Sequence, residues 1–224
     1  MGGFAELGRT DLVFAADQRG AASGLEFSEK ESVMSYPDFF DAVARITLYD
    51  PLAELLGAAD RGRIEYGYAD VVKLAGHSCP TVAGAYLMTL QALTRLYPGD
   101  TPERGGIRVE FGTAQTDGVT GVIAAVIGML TGAAGEGGFK GLAGQFSRQN
   151  LLTFAAENIT EVRFSRLDTD ARVAVTYHPE IVPPPPELQE LMPAILAGTA
   201  SDTELTEFGR LWQMRVKRIL IDHQ

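Results

Sequence analysis

The only cysteine in the chain lies in Gly76-His77-Ser78-Cys79-Pro80-Thr81, two residues after one of three histidines. In an extended link, side chains at i and i+2 point the same way. An imidazole nitrogen and a thiolate sulfur could then reach one ion together. Zinc suits that donor pair, with bonds of about 2.0–2.3 Å. The same residues also allow a second chemistry. Pro80 favours the first position of a helix, which makes Cys79 its cap. The unpaired N–H groups and the positive end of the helix dipole favour a thiolate there, and a thiolate is a nucleophile. A plainer reading has Cys79 in a capping turn beside a solvated His77.

A catalytic zinc usually has three protein ligands and an open position. With no second cysteine, the third ligand must be His178, after the strand-like "ARVAVTYH", or Asp117, near the end of "GIRVEFG". His178 reads otherwise as a strand-end histidine, and Asp117 as a helix cap. His223 stands beside the last residue, where chains fray. Competing motifs fail. In "GAAGEGGFKG", Lys140 lacks the glycine spacing and the following Ser or Thr of a Walker loop. It also stands where a dinucleotide fingerprint needs its last glycine. Backbone contact of that loop with an anion stays open, as does Lys140 as a solvated charge. The zinc-deaminase pattern would need H-x-E and a second cysteine.

The surrounding elements must hold these residues in place. "SYPDFFDAVARITLYD" reads as a helix capped by Ser35, with Phe39, Val43 and Ile46 on one face. "DPLAELLGA" is a short helix capped by Asp50. "YADVVKLAG" is a helix ending at Gly76, and Pro80 to Tyr97 forms the next, so GHSC links two helices. "GIRVEFG" alternates as a half-buried strand, and Gly118–Thr131 is a buried helix. "EVRFS" and "ARVAVTYH" form a hairpin through Leu167–Asp170. After "IVPPPPELQ" come two helices. The second opens with a Ser201/Glu204 capping box and carries Leu205, Phe208, Trp212, Val216 and Ile219 as a core or dimer stripe. The expected fold is α+β: a small mixed sheet flanked by helices. A loosely attached arm (1–34) precedes the metal-binding domain (35–182), and a helical extension (187–224) follows it.

Composition narrows the partners. Apolar residues make up 46% of 224 and charged residues 21%, which fits a folded globular chain. A net charge of −10 without a basic cluster argues against nucleic acid. Arg215, Lys217 and Arg218 read as a solvated face. One cysteine permits no internal disulfide, and the N-terminal residues carry no signal-peptide pattern, so a cytoplasmic location is expected. The uncharged stretch Gly118–Gly135 has five glycines and no flanking anchors, so no membrane span is expected.

"GHSCPTVAGAY" is similar to the GHxCPG signature of the E-type formylmethanofuran dehydrogenase family. The likeness extends through "FGTAQTDGVTGVIAAVIGMLTGAAGEGGF", roughly residues 70 to 155. The resemblance implies an α+β fold, zinc binding, homodimers and a small-molecule ligand, with His77, Cys79 and Asp117 matching family positions. Ala114 stands where the family has a second cysteine, Thr81 replaces a glycine, Glu136 replaces a lysine, and the C-terminal CxxC module is absent. These departures disfavour dithiol chemistry and leave a mononuclear His/Cys site completed by His178 or Asp117. A metal-free Cys79 nucleophile and a non-catalytic accessory or metal-carrier protein are the alternatives.

Overall fold

The computed structural model describes residues 36–160 and 162–222. The expected arm, Ser35 and His223 lie outside the described residues. The segment read as a first long helix is instead one 3₁₀ turn (Asp38–Phe40) and then strand β1 (Ile46–Tyr49). Its β-branched and aromatic "ITLY" finds a partner in "RIEY", strand β2 (Arg63–Tyr66). The pair is antiparallel, with Ile46 opposite Tyr66 and Leu48 opposite Ile64. Of the face expected to be buried, Val43 and Ile46 reach the core while Phe39 is only partly buried, and Phe40 beside it is buried in its place.

Between these strands lies helix α1 (Pro51–Leu55), capped by Asp50 as read. Helix α2 (Tyr68–Ala75) stops at Gly76, whose φ of +74° is the left-handed conformation that ends helices. Helix α3 (Pro80–Leu96) is the central element, with Val82, Ala83, Ala85, Tyr86 and Leu93 buried along it. The Tyr86 hydroxyl donates to the Ala44 and Tyr66 carbonyls at 2.7 and 3.2 Å, tying α3 to the β1–β2 pair.

Strand β3 (Ile107–Phe111), helix α4 (Thr120–Thr131) and the short strand β4 (Leu152–Thr153) follow. The expected hairpin is β5 (Val162–Arg166) with β6 (Arg172–Val175). Together these strands make a mixed sheet in the order β4-β3-β5-β6, with only β4 running parallel to β3. Helix α3 packs on β5 and β6 on one side and on α4 on another. Helices α5 (Pro186–Ala197) and α6 (Asp202–Lys217) close the chain, α6 starting at the Ser201/Glu204 capping box. A π turn (Arg218–Asp222) carries Ile219 and Leu220 into the same core as α3. The fold is α+β with C-terminal helices, as the sequence pattern predicts. Among the described residues no helix is long and apolar enough to cross a membrane.

One buried charge cluster fixes the far end of α4. Asp50 is 3% exposed and accepts from Leu52 N–H, Ala53 N–H, Arg104 (2.9 Å) and Arg148 (2.7 Å). Arg104 also donates to the Met129 carbonyl, near the C-terminal end of α4. Arg148 reaches this cluster from the end of the glycine loop by passing against Gly105, where a Cβ would overlap its guanidinium.

Candidate metal and ligand site

The link between α2 and α3 is held from three sides. The Ser78 hydroxyl donates to Gln213 Oε1 (3.0 Å), so at 3.1 Å it accepts from the Tyr68 hydroxyl. Its carbonyl accepts from Trp212 Nε1 (2.9 Å) and Gln213 Nε2 (3.3 Å) of α6. Ser78 therefore pins the backbone, and its neighbours His77 and Cys79 both line one cleft.

Cys79 caps α3 as predicted. Its backbone is extended (φ −148°), and its Sγ accepts the Val82 N–H at 3.5 Å. The residue is 8% exposed. His77 is exposed, and its Nδ1 lies 2.9 Å from the Ala75 carbonyl. A carbonyl only accepts, so Nδ1 carries the proton. In the tautomer that this bond selects, a metal could be taken only at Nε2. This second hydrogen bond is how metal-binding histidines are usually set in tautomer and orientation.

The cleft holds about 710 Å³, within the range of small-molecule sites. Its floor is the end of the mixed sheet. Phe111 pairs with Val162 and Val162 with Val175, so three apolar side chains sit side by side in register. The first turns of α3 (Pro80, Thr81) and α4 (Val119, Thr120, Ile123) form two walls. Trp212 and Arg215 of α6 form a third. Thr113 and Thr120 share a 2.9 Å hydrogen bond at the rim.

Tyr177 also lines the cleft, and its hydroxyl donates to the Pro80 carbonyl at 2.6 Å. Burial pushes this hydroxyl up to about 12, so it remains a neutral donor across the physiological range. Its ring rests on Gly84, where a Cβ would come within 2.5 Å of the ring carbons.

The two expected third ligands lie elsewhere. His178 lines a smaller adjoining groove of about 170 Å³, and its Nδ1 pairs with Glu180 at 2.8 Å. Asp117 is exposed and closes its own turn, accepting the Ala114 N–H at 3.2 Å; α4 begins three residues later, without Asp117 as its cap. Neither is in the lining of the cleft. Among the described residues no three His, Cys, Asp or Glu side chains gather into a metal-sized cluster. The donor set is thus a His/Cys pair facing an open cavity. It fits zinc in donor type, and an ion held there would need its remaining ligands from water or a bound molecule. Lys140 is exposed on the glycine loop. That loop leaves the C-terminal end of α4, about 18 Å of helix from the cleft, and does not line it.

Arg215, Tyr177 and Trp212 are the site residues that sequence reasoning did not assign. Arg215 is not on a solvated face. Its Nε donates to the Val182 carbonyl at 2.8 Å and its Nη2 to the Pro179 carbonyl at 3.3 Å. The available signal was its position three residues after Trp212 and one before Val216, on the flank of the apolar stripe. Comparison with known proteins adds no relative: no family profile, no curated protein and no solved structure gives a significant match.

Proposed function

We propose that this chain is a cytoplasmic metal-dependent protein that binds a small molecule, with zinc held by His77 Nε2 and Cys79 Sγ at the mouth of the cleft. The observation that carries this reading is the pairing of a pre-oriented imidazole and a helix-capping thiol on the wall of one apolar cavity. A metal would bind Cys79 as the thiolate. When bound, zinc would supply a Lewis acid that polarises a carbonyl or acidifies a water. The chain's own residues do the rest. Ser78 and its α6 partners hold the link rigid, Tyr177 closes one side, and the apolar floor excludes water from the ligand.

The relationship to the E-type formylmethanofuran dehydrogenase family and a homodimeric state are proposed from the GHSCPT and glycine-loop resemblance alone. With Ala114 in place of a second cysteine, a metal held by His77 and Cys79 would keep an open coordination sphere, which would suit ligand binding over a purely structural role.

Metal analysis of the purified chain tests the reading. Wild type should carry or take up one zinc per chain. Cys79→Ser and His77→Ala should each lower zinc affinity by at least about tenfold, while His178→Ala leaves it unchanged. A wild-type chain that takes up no zinc, and whose Cys79 alkylates equally fast with and without the metal, overturns the reading in favour of a metal-free nucleophile.

A further inference from the structure

One cleft residue is permanently charged, and its surroundings define the ligand it fits. Two nitrogens of Arg215 are tied to the Val182 and Pro179 carbonyls, which fixes the guanidinium plane. Its Nη1 has no hydrogen-bond partner among the described residues, and the side chain lines the cleft. A guanidinium keeps its proton at any physiological pH. No Asp or Glu stands in the cleft lining among the described residues. Most of the remaining wall is apolar: Met88, Phe111, Ile123, Val162 and Trp212.

These features exclude several ligand classes. A cation would meet Arg215 without a compensating carboxylate among the described residues of the lining. A neutral hydrocarbon would cover the guanidinium and leave its open N–H groups unpaired, which is costly in a dry site. A polyphosphate would bring several charges to a cavity with one fixed cation and an apolar floor. A single carboxylate on a hydrocarbon body satisfies both halves: its oxygens accept from the guanidinium, and its carbons cover the sheet end.

We infer that the cleft binds an apolar monocarboxylate, with the carboxylate on Arg215 and the hydrocarbon against Phe111, Val162 and Ile123. The inference rests on the reading of the cleft as a ligand site and not on the metal.

Octanoate, octanol and octylamine, titrated calorimetrically into the full chain as purified and after chelator treatment, test it. Octanoate should bind at least about tenfold tighter than the alcohol or the amine, the ratio a charge-assisted hydrogen bond supplies. Arg215→Met should remove that preference while octanol binds as tightly or more tightly, and Arg215→Lys should keep part of it. Ile123→Trp, which leaves Arg215 in place and fills the cavity, should abolish binding. Equal affinity for octanoate and octanol overturns the inference. So does octanoate binding that survives Ile123→Trp, which decides the matter even if Arg215→Met fails to fold. Zinc uptake measured on the same samples separates the two claims. Zinc without octanoate binding defeats only the carboxylate, and Arg215-dependent octanoate binding without zinc defeats only the metal reading.

Discussion

His77 and Cys79 face one cavity because of the backbone on either side of them. Gly76 takes a left-handed φ of +74° and turns the chain out of α2. A residue with a Cβ there would cost about 1–2 kcal/mol. Pro80 then fixes the first turn of α3, leaving Cys79 extended as its cap. A buried charged residue, Asp50, lies away from this site. Burial alone would raise the Asp50 pKa, but hydrogen bonds from Arg104 and the Ala53 N–H, with the Arg148 charge, hold it below the ordinary aspartate range. The folded state thus binds that proton less readily than the unfolded state. The stabilisation is complete above the ordinary aspartate value of about 3.9 and is lost as pH falls through the lower folded value. Urea unfolding across an acidic pH series should show this loss below about pH 4. Asp50→Asn should cost about 3–5 kcal/mol at neutral pH, because it strands a buried Arg148, and it should flatten the acid limb.

Among the elements, the contact between α3 and the end of β6 shapes the site. Gly84 leaves room for the Tyr177 ring, which in turn reaches the Pro80 carbonyl beside Cys79. Gly84→Ala should lower stability by about 1–3 kcal/mol through overpacking and shift the Tyr177 ring resonances in an NMR spectrum. Gly209→Ala is the control. It lies inside α6, where an added Cβ meets nothing within 4 Å, and should stabilise by about 0.5–1 kcal/mol. Unchanged Tyr177 resonances and undiminished stability in Gly84→Ala would show that the ring does not depend on that gap.

These elements differ in how legible they were. The caps at Asp50, Cys79 and Ser201, the strand "GIRVEFG" and the β5–β6 hairpin follow local rules that nothing in the tertiary structure overrides. The segment before Asp50 misleads because its apolar spacing suits a helix, while the pairing that makes it a strand comes from residues 63–66. Arg215 misleads for a related reason. Its carbonyl partners, Pro179 and Val182, lie more than thirty residues away, and nothing local announces them. His77 and Cys79 were legible because one turn positions both. His178 and Asp117 make local contacts, with Glu180 and with the Ala114 N–H, and their distance from the cleft is set by the fold and not by any local spacing.

Across the whole molecule, the cleft exists because the sheet and two helices end at one place, against the side of a third helix. The sheet floor, the first turns of α3 and α4, and the side of α6 meet where α6 clamps Ser78. Both helix starts, and with them the positive ends of their dipoles, lie at this cleft, and Arg215 adds a full charge. The cavity is therefore locally favourable to an anion on a chain whose net charge is −10. The Asp50 cluster ties down the opposite end of α4, so the cleft and the buried charge cluster lie at different ends of one helix.

The central claim is that one sulfur and one imidazole of this chain hold zinc at the cleft. The X-ray absorption spectrum at the zinc edge of the loaded protein tests it most directly. The expected spectrum has a single sulfur neighbour at about 2.3 Å, with nitrogen and oxygen neighbours at about 2.0–2.2 Å, and loses the sulfur in Cys79→Ser. A zinc-loaded wild-type protein whose metal has only nitrogen and oxygen neighbours would contradict it.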